Sequence, residues 1–113
     1  MFALTESMNY YLCPQAVDMR KGLYGLFHFV KTEMGRNPTS GEVFIFVGRN
    51  RSTIKILHWE SGGFVLYYKR LEKGTFQLPQ LDSTTNHYHL HWHIFLMMME
   101  GICIKQVKRR SRL

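Results

Sequence analysis

The fold is decided by residues 43–70, which read VFIFVGRNRSTIKILHWESGGFVLYYKR. Residues 43–47 are β-branched or aromatic throughout, which is typical of a central strand covered on both faces. Residues 53–59 partly alternate between apolar and polar side chains, and residues 64–70 form a third extended stretch. Two short polar turns that contain glycine separate these stretches. The pattern therefore predicts an antiparallel meander of about three strands.

The segment before the meander predicts one strand and one helix. Residues 9–13 are largely aromatic and are followed by Pro14, as expected for a first strand that ends at a turn. Asp18 stands in a favourable N-cap position for a helix over residues 19–34, because its carboxylate can accept hydrogen bonds from the free amides of the first turn. Gly35 is the expected C-cap. The apolar face of this helix consists of Leu23, Leu26, Phe27, Val30 and Met34.

The C-terminal third predicts a second helix over residues 88–99, which stops at Gly101. Its apolar side consists of Leu90, Ile94, Met97 and Met98. The fold class that follows is α+β, with an antiparallel meander of about three to five strands packed against the N-terminal helix. The second helix lies near the C-terminus.

The chain is short and strongly basic. Its 113 residues are enough for a single α+β domain, expected over residues 1–104, and 45% of them are hydrophobic. Residues 105–113 carry five cations and no acid, which predicts a basic C-terminal arm. Lys and Arg number 15 against 8 Asp and Glu, so the net charge is +7. This excess favours a polyanionic partner, with nucleic acid ahead of a membrane surface.

Several classes of protein are excluded by the sequence. The uncharged apolar run at residues 94–99 is far shorter than the roughly 20 residues needed to span a bilayer. The first residues lack the basic region and the long apolar stretch of a secretion signal. Cys13 and Cys103 are too few for a disulfide scaffold and lack metal-site spacing. We therefore expect a reduced cytoplasmic compartment and no membrane partner.

The strongest functional signal is distributed positive charge. Guanidinium and ammonium groups neutralise phosphates and release counterions, and exposed aromatic rings can stack on unpaired bases. The expected DNA contacts are Arg49, Arg51, Lys55, Lys69, Arg70 and Lys73, with Arg20 and Lys21 beside them. The aromatic residues that run between the cations are Trp59, Phe64, Tyr67, Tyr68 and Phe76. The alternative is that the rings belong to the core and the charges form an ordinary solvated face.

Histidines alternate near the C-terminus, at His87, His89, His91 and His93. On a helix, those that are four residues apart would share a face, which is a spacing that can bind zinc. No Glu lies between them, as a metalloprotease would need, and a histidine-rich tract is only a compositional signal. Neither a metal site nor any other cofactor is therefore predicted.

Catalytic motifs are scarce. Asp18, Glu42 and Lys55 are the parts of a metal-dependent nuclease, because two carboxylates and a lysine can activate water on a phosphodiester. Each also has a simpler interpretation, as a helix cap, a strand-edge residue and a solvent-facing side chain. The sequence contains neither a Walker-type phosphate loop nor a Gly-x-Ser-x-Gly elbow. The expectation is a protein that is not an enzyme.

Several short motifs, in a fixed order, resemble one known family. They are DMRKG at 18–22, SGEVFIF at 40–46, KILHW at 55–59, GF at 63–64, YKRLEKGTF at 68–76 and MEGI at 99–102. Over residues 9–104 the chain resembles the small accessory protein, TnpB or Orf-2, of bacterial insertion sequences of family sixty-six. The resemblance implies a role in transposition beside a separately encoded transposase that performs the strand transfer.

The resemblance leaves the biochemical action open. The first hypothesis is a non-catalytic accessory module that binds the DNA ends of the element through the basic hairpin surface. The second is a protein–protein adaptor for the transposase or for the other accessory protein of the element, because Met, Trp, Tyr and Arg are enriched in interface cores. The divalent-metal nuclease is the third hypothesis.

Overall fold

The computed structural model describes residues 4–79 and 87–100, and within these residues the chain forms five strands and two helices. In chain order they are β1 (Tyr10–Leu12), α1 (Leu23–Thr32), β2 (Val43–Val47), β3 (Thr53–Glu60), β4 (Gly63–Arg70), β5 (Tyr88–Leu90) and α2 (Trp92–Glu100). The strands form one sheet in the order β4-β3-β2-β1-β5, in which β1 runs parallel to β2 and the other neighbours are antiparallel. The predicted α+β class and meander are confirmed. The predicted arm at 105–113 lies outside the described residues.

β2 is the middle strand and is buried on both faces. Val43, Ile45 and Val47 point to one side of the sheet, since successive side chains of a strand alternate between its faces. Phe44 and Phe46 point to the other side. None of the five is more than 3% exposed. A continuous run of β-branched and aromatic residues suits this position, because neither face of the strand meets water.

The two helices pack on opposite faces of the sheet, which we name the α1 face and the α2 face. On the α1 face, Leu26 and Val30 pack in one cluster with Phe44 and the other inward-facing residues of that side. On the α2 face, the ring of Phe95 stacks on that of Tyr10, with 4.5 Å between the ring centroids. Each helix therefore removes from water one apolar face of the sheet, a gain of roughly 25 cal/mol for each Å² covered.

The parallel pairing of β1 with β2 requires the chain to cross the sheet between them, and α1 lies in that crossover. After β1 the chain stays beside β2 for several residues. The Val17 N–H donates to the Val47 carbonyl at 3.0 Å. This bond brings residues 16–20 to the end of β2, where the candidate site lies.

The start of α1 differs from the prediction. The helix begins at Leu23 with Gly22 as its N-cap and no side-chain cap, so the prediction that Asp18 caps a helix from residue 19 is wrong. The Asp18 carboxylate instead accepts a hydrogen bond from the Arg20 backbone N–H at 2.9 Å. The Lys21 N–H donates to the Asp18 carbonyl at 3.0 Å. These bonds form a separate turn, which satisfies the amides that a longer helix would have used.

The end of α1 is close to the prediction. The helix stops at Thr32, and Glu33 is its C-cap. Gly35 follows with a φ of 65°, and the next N–H, that of Arg36, donates to the Val30 carbonyl at 3.1 Å. Glycine is suited to this left-handed position because it has no Cβ to clash with the backbone.

The predicted helix over residues 88–99 is wrong in its first turn. Tyr88–Leu90 form β5, and Leu90 is paired with Tyr10 of β1 in an antiparallel register. α2 begins only at Trp92. β1 has a second edge that needs hydrogen-bonding partners, and β5 supplies them from a distant part of the chain. The local pattern of residues 88–99 does not contain this information.

The apolar side of α2 is also shifted from the prediction. Phe95 and Met98 are buried, whereas Ile94 and Met97 are half-buried. Leu90 lies in β5 and not in the helix, so it does not belong to the helical face that contains Phe95 and Met98.

The β3–β4 hairpin has a two-residue turn. Ser61 and Gly62 have φ values of 49° and 81°, and positive values at both positions are typical of a type I′ turn. The turn pairs Glu60 with Gly63 and thereby sets the register of the whole hairpin. The predicted position of this turn is confirmed.

Gly48, in the turn after β2, is expected to tolerate no side chain. A Cβ at this position would lie 2.5 Å from Thr53 Oγ1 and 2.8 Å from Met19 Cγ, inside van der Waals contact. We expect Gly48→Ala to lower the free energy of unfolding by about 1–3 kcal/mol, as overpacking does. Urea denaturation measures this change. Gly63→Ala is the matched control, because a Cβ there meets nothing within 4 Å. Equal losses for the two variants would contradict the close approach at Gly48.

Candidate nucleic-acid interface

A surface depression of about 620 Å³ lies where three segments meet at the end of β2. Its lining comes from residues 16–20, from residues 48–50 of the β2–β3 turn and from the end of β4. The Gly48 N–H donates to the Thr53 carbonyl at 3.0 Å and closes the turn. Backbone pairing therefore sets the shape of the depression, since β1's extension, β2 and the hairpin are all hydrogen-bonded to one another.

Three exposed arginines, Arg20, Arg49 and Arg70, line the depression. Asp18 also lines it, with 2.7 Å between Asp18 Oδ2 and Arg20 Nη2. The hydrogen bonds from Arg20 hold the pKa of the Asp18 carboxyl well below its ordinary value. Within residues 4–79 and 87–100, neither Arg49 nor Arg70 forms an ion pair with a carboxylate. Three cations therefore face one carboxylate in this depression.

The register of the β3–β4 hairpin decides which cations share a face. Arg70 is paired with Thr53 and Tyr68 with Lys55, and all four side chains lie on the α1 face. Lys69 stands between Tyr68 and Arg70, so its side chain points to the α2 face. The hairpin therefore brings Arg70 to the depression and takes Lys69 away from it.

Two of the lysines predicted as DNA contacts are bonded to backbone carbonyls. Lys55 Nζ donates to the Lys21 carbonyl at 2.8 Å, and Lys69 Nζ donates to the Met99 carbonyl near the end of α2. A cation is favoured at a helix C-terminus, because unpaired carbonyls there carry partial negative charge. Both lysines thus hold elements of the fold together, in addition to contributing charge.

Arg51 and Lys73 are exposed, and neither lines the depression. The Arg51 carbonyl accepts a hydrogen bond from the Phe76 N–H at 2.7 Å, which ties the segment that follows β4 to the β2–β3 turn. Lys21 is half-buried. The five cations of the predicted basic C-terminal arm lie outside the described residues, and they are Lys105, Lys108, Arg109, Arg110 and Arg112.

The aromatic residues among the cations separate into core and surface. Phe76 is buried, and the Trp59 ring packs edge-on against Phe64 at 4.9 Å between centroids. Tyr67 is half-buried on the α2 face. Tyr68 differs from these, since it is 55% exposed and lines the depression. The core interpretation thus fits the four buried or half-buried rings, and the surface interpretation fits Tyr68.

The histidine tract does not have the helical geometry that was predicted. His89 lies in β5 and His93 in α2, so the pairs four residues apart do not share one helix face. The rings of His89 and His91 are 6.2 Å apart between centroids, and those of His91 and His93 are 5.9 Å apart and stacked. Among the described residues, no group of three His, Cys, Asp or Glu side chains is arranged to hold a metal ion.

The three residues of the nuclease hypothesis have different partners. Asp18 is bonded to Arg20, and Lys55 is bonded to a backbone carbonyl. Glu42 pairs with Arg36. Of the three, only Asp18 lines the depression, so the structure does not collect them in that cavity.

An ion pair that was not predicted from the sequence connects the segment after α1 to the start of β2. Arg36 Nη2 lies 2.7 Å from Glu42 Oε2, and Arg36 Nε lies 3.0 Å from Glu42 Oε1, so the pair is bidentate. The Arg36 guanidinium stands over the Tyr11 ring, 3.9 Å from its centroid. Hydrogen bonds from Arg36, and also from Ser40, lower the pKa of the Glu42 carboxyl. The two residues meet across a loop, where no periodic pattern could have indicated the contact.

No helix among the described residues is long and apolar enough to cross a bilayer. The fold and the depression define a small basic α+β protein with a concave surface that is lined by three arginines and open to solvent.

The chain belongs to the family described as IS66 Orf2-like protein, whose model matches residues 8–109. The predicted resemblance is therefore confirmed, and the protein is an accessory protein of insertion-sequence transposition. The chain is similar to two uncharacterized proteins of Sinorhizobium fredii. It is 26% identical to y4jC over 97% of this chain and 92% of that protein, and 30% identical to y4hO over 69% and 68%. No solved structure matches the chain.

The Arg36–Glu42 pair is expected to make stability depend on pH. In the folded protein the pKa of the Glu42 carboxyl lies below its ordinary value of 4.5. The stabilisation by the ion pair is therefore fully present above pH 4.5 and is lost as the pH falls through the pKa of the folded state. We expect Glu42→Gln to lower the free energy of unfolding at neutral pH by on the order of 1 kcal/mol. The variant should also lose less stability than the wild type on acidification.

Urea denaturation at a series of pH values measures both effects. Glu72→Gln is the matched control, because Glu72 is an exposed glutamate for which the described residues show no ion pair. If Glu42→Gln and the wild type lost the same stability between neutral and acid pH, the pair would not be the source of the pH dependence.

Proposed function

We propose that this accessory protein acts in the cytoplasm by binding the DNA ends of its insertion sequence, beside the transposase, through the depression and the exposed cations around it. The observation that carries the proposal is the convergence of Arg20, Arg49 and Arg70 from three separate segments onto one concave surface. The proposed action is binding rather than catalysis, so the strand transfer belongs to the separately encoded transposase.

Arginine is well suited to this role. Its guanidinium is planar and always charged, and it can donate two parallel hydrogen bonds to a phosphate. Arg49 and Arg70 have no carboxylate partner among the described residues, so they have no ion pair to break on binding. The Arg20–Asp18 pair is highly exposed, and exposed pairs contribute little stability, so a phosphate can take over the contact at small cost.

The predicted DNA contacts can be ranked by the hydrogen bonds that their side chains already form within the protein. Five of the predicted cations have exposed side chains that show no hydrogen bond to a backbone carbonyl among the described residues, namely Arg20, Arg49, Arg51, Arg70 and Lys73. Of these, Arg20, Arg49 and Arg70 line the depression. Lys55, Lys69 and Lys21 rank below them, since Lys55 and Lys69 each donate to a backbone carbonyl and Lys21 is half-buried. The proposed contact surface is therefore chiefly arginine.

DNA affinity is expected to fall steeply with salt. If about five phosphates are contacted, the association constant should drop several hundredfold between roughly 50 and 200 mM salt, because each neutralised phosphate releases counterions. Gel-shift titration on element-end DNA across this range measures the slope. Arg49→Ala and Arg70→Ala should each weaken binding and reduce the slope of log K against log salt by about one.

Lys31→Ala is the matched control, because Lys31 is an exposed cation of α1 that does not line the depression. It should leave the slope unchanged. Absence of binding by the wild-type protein at low salt would end the DNA-binding proposal. A slope reduced equally by Lys31→Ala would show that binding does not depend on this surface.

An adaptor role is the second candidate, and one observation favours it. Tyr24 on α1 is 84% exposed, although tyrosine is enriched at the centres of protein interfaces. We expect Tyr24→Ala to reduce recovery of the transposase in a pull-down from nuclease-treated lysate at least about fivefold, the loss for a modest hot spot. Tyr68→Ala serves as the control for an exposed tyrosine elsewhere. Unchanged recovery with Tyr24→Ala would remove α1 from the adaptor surface.

A further inference from the structure

We infer that the depression takes an unpaired nucleotide of single-stranded DNA, with its base stacked on the ring of Tyr68 and its phosphate held by Arg49 and Arg70. This inference rests on the proposed function, and it names the form of DNA that the site selects. It follows from the position of one exposed ring among the guanidinium groups.

Tyr68 has the placement that a stacking residue needs. It lines the same depression as Arg49 and Arg70, and more than half of its surface is exposed. Its neighbours along β4 on the same face are the half-buried Leu66 and the cation Arg70. The ring therefore stands at the boundary between the packed core and the charged surface, where an exposed aromatic side chain lies beside two arginines.

The ring is also held in position. Lys55, directly opposite in β3, has its ammonium 5.6 Å from the centroid of the Tyr68 ring, a distance typical of a cation–π contact. The same ammonium is anchored to the Lys21 carbonyl at 2.8 Å. Because Lys55 is tethered to the segment before α1, it restrains the Tyr68 ring. The ring therefore loses less conformational entropy when a base stacks on it.

The combination of a ring and cations distinguishes single-stranded from duplex DNA. In a duplex, both faces of each internal base are covered by its neighbours, so the duplex offers phosphates and groove edges to this surface but no free base face for the ring. An unpaired base offers a free face, which can stack on an aromatic side chain whatever the base. A depression of about 620 Å³ is within the range of roughly 300–1,000 Å³ in which proteins hold small ligands. The Asp18 carboxylate in the lining is balanced by Arg20.

The test compares one strand in two forms by fluorescence anisotropy with the full-length protein. The probes are a labelled single strand of about 16 nucleotides and the same strand annealed to its complement. We expect Tyr68→Ala to weaken binding of the single strand at least about fivefold and to change binding of the duplex less than about twofold. Tyr68→Phe keeps the ring and should retain the affinity for the single strand. Tyr24→Ala, which removes an exposed tyrosine outside the depression, should change neither.

A second measurement does not depend on any variant. A single strand of the same length with abasic sites throughout keeps the phosphates and lacks the bases, so the wild-type protein should bind it as weakly as Tyr68→Ala binds the normal strand. Equal loss on single strand and duplex, or no loss on either, would overturn the stacking inference while leaving DNA binding intact. Loss of single-strand affinity in Tyr68→Phe would indicate a hydroxyl contact and would also overturn it. If the wild-type protein bound neither form at low salt, the proposed function itself would fail.

Discussion

The whole structure depends on burying β2 on both of its faces. Its five side chains alternate between two apolar clusters, so neither cluster can form unless a covering element lies on each side of the sheet. α1 meets this requirement on the face of Phe44 and Phe46, and α2 meets it on the face of Ile45. Truncating a fully buried phenylalanine to alanine typically costs 3–5 kcal/mol, which is a large share of the stability of a small domain.

The same constraint positions the candidate interface. A parallel β1–β2 pair needs a crossover, and the crossover must pass the end of β2 before it reaches α1. Val17 pairs with Val47 on this path, and Arg20 follows a few residues later. The β2–β3 turn starts at the same place and carries Arg49, and the last residue of β4 is Arg70. The cationic lining is therefore a consequence of how the central strand is paired.

Lysine and arginine are used differently in this protein. Lys55 and Lys69 reach backbone carbonyls of other segments, which suits a long side chain with a compact ammonium group. Arg49 and Arg70 stay exposed. Arg36 is the exception among the arginines, since it is bonded in a bidentate pair with Glu42 and stands over Tyr11. Fewer cations are thus free to bind a partner than the total number of lysines and arginines would suggest.

The sequence by itself determined the meander, the buried central strand and the β3–β4 turn, because each of these follows from the pattern of neighbouring residues. It also determined the family, because the family is identified by short motifs in a fixed order. Tertiary structure alone decided that Tyr88–Leu90 form a strand, since their partner is β1 at the other end of the chain. It also decided that Arg20 joins Arg49 and Arg70, and that Tyr68 is the ring left exposed among them. The reason is that the hydrophobic periodicity of a segment shows only which of its own side chains share a face. Which other segment packs on that face depends on pairing between parts of the chain that are far apart in sequence.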